Sequence, residues 1–367
     1  MSCQFVSAVL LVWACLLNSP AAASDADFQH VWVHYDYMVF PRGWTAAGGT
    51  TFPDGLSMAP SREAIDKVVK AFAAQGLILH IDPVHNAIPG HQVIFPDFDS
   101  SWTNPSPACV GPDAASFLAL KKQYFRPAGN HPWHYAVFGF NVGLPDTSID
   151  GSLCPRDRFG AQVDPTSTGF SELPGFNFIV AFGYAVDSGT PPDDTTVGGT
   201  FMHELGHNFG LEHGGVVAFE ELMNYKPNYI SVMNYAYQAG IPYAATLGST
   251  TPIGRRLDYS RAALAPLNEY DLNEFVGVNA GTTDIVINSN LISPGCNVPG
   301  LPFRYAPAQG PIDWNCDGNL EAHASADIDD NGAANRTLHG FDDWSWVKQQ
   351  LQIPPDVIDR LPKRLVH

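Results

Sequence analysis

The chain has 367 residues, enough for one large domain or two modest ones, and with 45% hydrophobic residues it can bury a sizeable core and is not expected to be disordered. It carries 19 Lys and Arg against 37 Asp and Glu, and this formal net charge of −18 argues against nucleic acid or an anionic membrane surface as a partner. Two explanations of the acidity stay open: solubility of a secreted protein, or carboxylates that serve calcium loops.

The N-terminus is typical of a secretory signal peptide. An apolar stretch from Phe5 to Leu17 is followed by Asn18-Ser19-Pro20 and small residues, which predicts a signal over residues 1–23 with cleavage near Ala23 or Ser24. No Lys or Arg precedes the apolar stretch. The alternative is a membrane anchor, but the stretch is short for a bilayer. We therefore expect a secreted, extracellular protein without a membrane anchor.

The cysteines predict disulfides in the mature chain. Cys3 and Cys15 leave with the signal, and four cysteines remain: Cys109, Cys154, Cys296 and Cys316. An even number in an oxidising compartment indicates two bridges. Sequence order favours Cys109–Cys154 and Cys296–Cys316, and the other two connectivities stay open. Asn335-Arg336-Thr337 is a sequon and predicts glycosylation of Asn335 in a surface loop.

Hydrophobic periodicity predicts strands and helices between residues 30 and 209. In chain order these are a strand at 30–40, a helix over 61–76 with Ser61 as N-cap and Gly76 as stop, a strand at Leu77–Asp82, a short helix at Ala114–Tyr124, strands at His134–Gly143 and Phe176–Ala185, and a helix at Asp193–Phe209 capped by Asp194 or Thr195. Residues 83–112 are loop-like. The strands predict a mixed sheet.

The last predicted helix carries the stretch HELGHNFGLEH, residues 203–213. His203 and His207 are four apart, so a helix places both rings on one face, while Glu204 projects to the side. Gly210 allows a positive φ, so the chain can leave the helix sharply and His213 can approach the same point. Three neutral imidazoles that leave a fourth position open are typical of catalytic Zn2+.

This arrangement predicts hydrolysis by metal-activated water. Zinc lowers the pKa of its bound water to roughly 7, Glu204 accepts the proton, and the hydroxide attacks a polarised carbonyl carbon. Glu204 then passes the proton to the leaving amine. The alternative is a surface helix with unrelated histidines, and the offsets of Gly210 and His213 argue against it.

The pattern from His203 to His213 resembles the extended zinc signature of the metzincin metalloendopeptidases. Met233 lies twenty residues after His213, and Ser231-Val232-Met233-Asn234-Tyr235 resembles the methionine turn of astacins and serralysins. The resemblance implies that Met233 packs beneath the zinc ligands and that Tyr235 binds zinc or stabilises the oxyanion. Met223-Asn224-Tyr225 is a second Met-x-Tyr and stays open as an alternative.

The resemblance covers roughly residues 28–277 and implies an α+β fold. It implies a mixed twisted sheet, an active-site helix and a C-terminal subdomain that contains the methionine turn, with Leu267–Gly277 as a C-terminal helix. The predicted division is a signal over 1–23, a metzincin-like protease domain over 24–277, and an acidic appendage and tail over 278–367, the tail docked by its aromatic residues. Gly214-Gly215 departs from several families, so no family within the clan is assigned.

Latency through a cysteine is a further possibility that the sequence raises. Pro107–Asp113 superficially resembles the cysteine switch of matrix metalloproteinase propeptides, in which a thiolate occupies the open zinc position. The predicted pairing of Cys109 and the position of the stretch after the first strands argue against it. We expect no propeptide, or a short one.

Two acidic stretches near the C-terminus predict Ca2+ binding. Oxygen side chains at positions 1, 3 and 5 followed by glycine begin an EF-hand loop, and the candidate ligands are Asp313, Asn315, Asp317, Asp327, Asp329 and Asn331. Position 12 of the first loop is Ala324, where an EF-hand has a glutamate, and Glu321 is a possible substitute. The spacing also resembles thrombospondin type 3 or dockerin-like repeats. The alternative is a pair of Asp/Asn-Gly surface turns.

Together these features predict a secreted, monomeric zinc endopeptidase that cleaves protein or peptide substrates. The alternative is a calcium-dependent extracellular binding or matrix protein with an inactive protease-like domain. Glu204 discriminates between the two, because inactive relatives commonly lose this residue and here it is present.

Overall fold

The computed structural model describes residues 30–98, 113–143, 167–216, 223–278, 283–288 and 305–366. Its strands are β1 (His30–Phe40), β2 (Trp44–Thr45), β3 (Thr51–Phe52), β4 (Leu56–Ser57), β5 (Ile78–Ile81), β6 (Ala87–Pro89), β7 (Val93–Phe95), β8 (Ala114–Ser116), β9 (Trp133–Gly139), β10 (Asn141–Val142), β11 (Gly169–Leu173), β12 (Asn177–Ala181), β13 (Ile241–Ala244), β14 (Pro252–Arg256), β15 (Leu267–Asn268), β16 (Val286–Asn288), β17 (Tyr305–Pro307), β18 (Thr337–Leu338) and β19 (Arg364–Val366). Its helices are α1 (Arg62–Ala73), α2 (Phe117–Tyr124), α3 (Gly183–Asp187), α4 (Asp194–Asn208), α5 (Asp343–Gln350) and α6 (Pro355–Ile358).

An eight-stranded mixed sheet organises the fold, as predicted. Its order is β19-β11-β12-β9-β1-β4, and β5 and β6 also pair with β1. Strands β12, β9, β1, β5 and β6 run parallel, whereas β4, β11 and β19 pair antiparallel with their neighbours. β9 and β12 are buried along their whole length, because helices and loops cover both faces of a parallel sheet.

Helix α4 lies deep in the protein, and two glycines permit its close packing. Eleven consecutive residues from Gly198 to Asn208 are buried. A Cβ at Gly198 would lie 2.7 Å from the main-chain oxygen of Ala64 on α1, and one at Gly199 would overlap the main-chain oxygen of Gln238. Any larger residue would push the helix away from its neighbours. The two glycines therefore fix the depth at which the helix presents its histidines.

The structure confirms most predicted elements and shifts several boundaries. Ser61 caps α1 by accepting a hydrogen bond from Ala64 N at 3.0 Å. The helix predicted from Ala114 begins at Phe117, because Ala114–Ser116 forms β8 and Ser116 is the N-cap. The predicted strand at 134–143 is divided between β9 and β10, which belong to different sheets, and the one at 176–185 ends at Ala181, before α3. The loop-like region from residue 83 contains the short strands β6 and β7.

The N-cap of α4 is Asp193, and the prediction of Asp194 or Thr195 was wrong. Asp193 Oδ1 accepts a hydrogen bond from Thr196 N at 2.9 Å, and Asp193 Oδ2 pairs with Arg255 of β14. Asp194 instead accepts a hydrogen bond from Ser61 Oγ at 2.5 Å. Each side chain is engaged by a different neighbour, and this choice depends on packing that a helical pattern does not contain.

The segment Leu267–Gly277 is not a helix, which corrects that expectation. It contains β15 followed by turns. Tyr270 and Phe275 are 63% and 56% exposed, whereas Glu269 and Glu274 are fully buried. An amphipathic helix would bury the two aromatic side chains and expose the two carboxylates, which is the opposite of this pattern. Both buried carboxylates accept main-chain N–H groups from the acidic stretches, and those bonds hold the segment in its turns.

The C-terminal tail docks on the main core, as its aromatic residues predicted. Trp344 and Val347 of α5 are buried in the same cluster as the sheet and α4. A second cluster, which includes Ile230, Leu272 and Trp314, takes residues from both sides of residue 277. The domain boundaries stay predictions. The signal segment and Cys109, Cys154 and Cys296 lie outside the described residues, so the disulfide pairing also stays a prediction. Within the described ranges, no helix has the length and apolar character to cross a membrane.

Candidate metal centre

The three predicted histidines meet at the C-terminal end of α4. His203 and His207 lie on one face of the helix with their Nε2 atoms 3.0 Å apart. Gly210 has φ +81°, so the chain reverses after the helix and brings the His213 ring to 4.9 Å from that of His207, centroid to centroid. One nitrogen from each ring lies within 4.8 Å of the others. The residues that the motif spaces apart thus converge on one point.

Hydrogen bonds behind the first two rings fix which nitrogen of each carries a proton. His203 Nδ1 lies 2.7 Å from Val232 O, and His207 Nδ1 lies 2.7 Å from Leu211 O. A carbonyl oxygen only accepts, so both Nδ1 atoms donate, and each neutral ring then has a lone pair at Nε2. Two lone pairs that face each other at 3.0 Å repel, and a cation between them removes the repulsion. Three imidazole donors suit Zn2+, so the residues present fit that ion.

Glu204 projects from α4 toward strand β11 and is 1% exposed. Burial raises the pKa of Glu204 to about 8, and a hydrogen bond from Ser171 opposes the shift. Ser171 Oγ lies 2.5 Å from Glu204 Oε2. A cation held by the three imidazoles would lower this pKa again, because a nearby positive charge favours the carboxylate. The site therefore holds an acid–base group whose charge depends on its neighbours.

Tyr235 and Met233 both lie close to the helix or rings of the histidine cluster. The Tyr235 ring centroid is 4.4 Å from that of His213 and 5.6 Å from that of His203. Met233 is fully buried under α4, where a Cβ on Gly206 would overlap its sulfur. The competing Met223 instead packs against the second cluster. Met233 therefore lies against α4, and its assignment as the methionine beneath the ligands stays a prediction.

Asn208 is a support that sequence reasoning missed. Its side-chain amide donates to Glu172 O and Asn177 O, both at 3.0 Å, and its Oδ1 lies 3.0 Å from His134 Nδ1. These bonds connect the C-terminal end of α4 to β11, β12 and β9. Burial lowers the pKa of His134 to about 4, so this histidine is neutral and able to donate to Asn208. The only sequence signal was the position of Asn208 directly after His207.

The tail also supports the turn that contains Met233, which sequence reasoning missed as well. Asp343 of α5 is fully buried and accepts hydrogen bonds from Tyr229 OH at 2.8 Å, Ser231 Oγ at 2.5 Å and Ser260 N at 3.1 Å. Ser231 Oγ accepts in turn from Met233 N at 3.1 Å. A carboxylate more than a hundred residues later in the sequence thereby holds the turn beneath α4.

Two further contacts brace the chain on either side of His213. Trp346 Nε1 of α5 donates to Phe209 O at 2.9 Å, and Phe209 is the C-cap of α4. The buried ammonium of Lys226 donates at 2.7 Å to Gly214 O and at 2.7 Å to His339 O. No periodic pattern in the sequence predicts such residues, because each acts through a partner that is distant in sequence.

The acidic stretches form turns, and the second of them gathers carboxylates. Asp313 accepts from Gly318 N at 3.0 Å, and Asp327 accepts from Gly332 N at 2.7 Å. Carboxylate oxygens of Glu269, Asp327 and Asp329 lie within 4.8 Å of one another, a grouping that the sequence did not predict for Glu269. Burial and the charge of Glu269 raise the pKa of Asp329 to about 6.

Of the other predicted ligands, Asp317 and Asn331 are exposed, whereas Asp313 and Asn315 are half-buried. In the described part of the chain, Asp313 and Asp317 belong to no comparable group of three carboxylate, imidazole or thiol side chains. The side chain of Asn331 donates to Asp329. Asn335, the predicted glycosylation site, is exposed, and its main-chain N–H donates to Glu269 Oε2 at 3.0 Å.

Comparison with known proteins agrees with the geometry. Residues 150–214 match the model of the reprolysin-like metallo-peptidases of family M12B, a range that includes all three histidines and Glu204. No match was found among curated proteins or among solved structures. The family match and the histidine cluster together support a metzincin-clan metalloprotease, whose substrates are proteins or peptides.

Proposed function

We propose that this reprolysin-like chain is a secreted zinc endopeptidase that hydrolyses peptide bonds. The observation that carries the proposal is the convergence of three imidazoles, two of them with their Nδ1 protons committed to main-chain carbonyls. That commitment leaves Nε2 as the only nitrogen that each of these two rings can offer to an ion. A helix with unrelated histidines has no reason to fix both tautomers in this way.

His203, His207 and His213 would hold the zinc ion. When bound, Zn2+ polarises the scissile carbonyl and lowers the pKa of water at its open position. Glu204 would accept a proton from the attacking water and return it to the leaving amine. Tyr235, beside His213, is the candidate donor to the oxyanion.

Casein digestion tests the proposal. Wild type should digest casein, 1,10-phenanthroline should abolish the activity, and added zinc should restore it. Glu204→Ala should lower the rate at least about 100-fold while zinc content stays unchanged, because the residue is a base and not a ligand. Equal proteolysis by wild type and Glu204→Ala would refute the enzyme and favour a binding or matrix protein with an inactive protease-like domain.

We also propose that the C-terminal region binds Ca2+. Glu269, Asp327 and Asp329 support it, since grouped carboxylate oxygens are the ligands this ion prefers. Calcium titration followed by calorimetry, with Glu269→Gln as the variant, tests it, and heat that the variant leaves unchanged would exclude this group. The proposal of a secreted protease includes five further features. These are secretion, the disulfides Cys109–Cys154 and Cys296–Cys316, glycosylation of Asn335, a monomeric state, and a domain boundary at residue 277. Mass spectrometry of the secreted chain checks the cleavage point, bridges and glycan.

A further inference from the structure

We propose that Ser171 and Gly169 of strand β11 are positioning residues for the Glu204 carboxylate. The inference rests on the proposed function, in which Glu204 transfers a proton. Neither residue belongs to the zinc motif, and they precede it by more than thirty residues in the chain. Together they limit where the carboxylate can lie, one through a hydrogen bond and the other through the space it leaves.

Ser171 holds one oxygen of the carboxylate. The serine is fully buried, and its Oγ lies 2.5 Å from Glu204 Oε2 and 3.0 Å from the main-chain oxygen of Glu204. A hydroxyl has a single proton, and a carboxylate is the stronger acceptor at the shorter distance, so the proton goes to Oε2. This bond fixes the rotation of the carboxylate about its last torsion. It leaves Oε1 as the oxygen that Ser171 does not engage.

Gly169 provides the space that the carboxylate occupies. A Cβ at this position would overlap Oε1 and Cδ of Glu204, so even alanine would displace the group. The backbone of Gly169 is outside the left-handed region, where glycine would be needed for its conformation. The requirement at this position is therefore room for Glu204, and alanine meets no conformational barrier of its own.

The register of β11 explains why these two positions act together. Residues 169 and 171 are two apart in a strand, so they share one face of the sheet. Gly169 pairs with Val180 and Ser171 with Phe178 in the antiparallel ladder with β12, which fixes their height relative to α4. The helix and the strand thus form two walls, and the carboxylate of Glu204 lies between them.

The test compares Ser171→Ala with a matched control on the same peptide substrate. Ser116→Ala is the control, because Ser116 Oγ also donates to a buried carboxylate, that of Asp97, at 2.6 Å. We expect Ser171→Ala to lower kcat about 10- to 100-fold with KM and zinc content unchanged, since misplacement of a catalytic group acts on the chemical step. Ser116→Ala should lower only the melting temperature. Ser171→Thr, which keeps the hydroxyl, should recover most of kcat.

A second pair of variants tests the steric part and decides the case if Ser171→Ala does not fold. Gly169→Ala should lower kcat to a similar degree, whereas Gly139→Ala, in the same sheet as Gly169, places a methyl against Ile94 of β7 and should not. A kcat for Gly169→Ala and Ser171→Ala equal to that of the two controls would overturn the inference. Activity that survives in Glu204→Ala would instead refute the proposed function, so the two failures are distinguishable.

Discussion

Replacing Asp343 tests whether the C-terminal tail is part of the metal centre. Asp343→Ala removes the acceptor of three buried hydrogen bonds, from Tyr229 OH, Ser231 Oγ and Ser260 N. The main-chain donor of Ser260 cannot reorient, so its loss costs about 1–3 kcal/mol, and each hydroxyl adds about 1 kcal/mol. We therefore expect the free energy of unfolding to fall by roughly 3–5 kcal/mol.

The effect should extend to the metal, because Ser231 and Tyr229 hold the turn beneath α4 and the chain beside His213. We expect zinc affinity to weaken about 10- to 100-fold, the range for groups that orient metal ligands. Urea denaturation at pH 8, above the pKa of about 7 to which burial raises Asp343, measures stability, and competition with a chelator measures affinity. Asp342→Ala is the control, since it removes only the N-cap of α5. Equal losses in the two variants, or unchanged zinc affinity, would refute the reasoning.

Three further predictions follow from single contacts. Burial lowers the pKa of His134 to about 4, so the stability that the neutral ring contributes is complete above pH 6.5. As the pH falls toward 4, up to roughly 3 kcal/mol of this stability is lost. The unfolding midpoints of wild type and His134→Gln should therefore converge over that pH interval. Gly199→Ala should destabilise the protein by about 1–3 kcal/mol despite the better helix propensity of alanine, because the methyl meets Gln238 O, and calorimetric melting would show any gain that contradicts this. Lys226→Met should cost about 2–4 kcal/mol and weaken zinc binding, because Gly214 O beside the third ligand loses its donor; chelator competition checks it, and wild-type affinity would exclude the role.

The elements that local pattern predicted best are those whose cause is local. β1 and α1 appear where alternation and helical spacing place them, and Ser61 caps α1 through a bond to a residue three positions away. Boundaries were less certain where a neighbour decides them. Strand β8 exists because Val93–Phe95 pairs with it, and no property of Ala114–Ser116 alone distinguishes a strand from the first turn of α2.

The segment Leu267–Gly277 failed as a prediction for a related reason. The family resemblance implied a helix there, but Glu269 and Glu274 turn inward to accept main-chain N–H groups from residues 41 to 67 positions later. Burial of a carboxylate among distant N–H groups is a tertiary event, and a motif resemblance does not contain it.

The amino-acid sequence by itself determined the chemistry of the centre: which three imidazoles converge, which carboxylate stands beside them and where the helix must end. Those facts follow from spacings within eleven residues, because a helix converts a four-residue offset into one face and Gly210 converts a helix into a reversal. Only the tertiary structure decided what holds that chemistry in place. The supporting residues act through side-chain hydrogen bonds, and their partners lie in other segments of the chain; they are Ser171, Asn208, Lys226 and Asp343. No spacing within a single segment encodes such a contact.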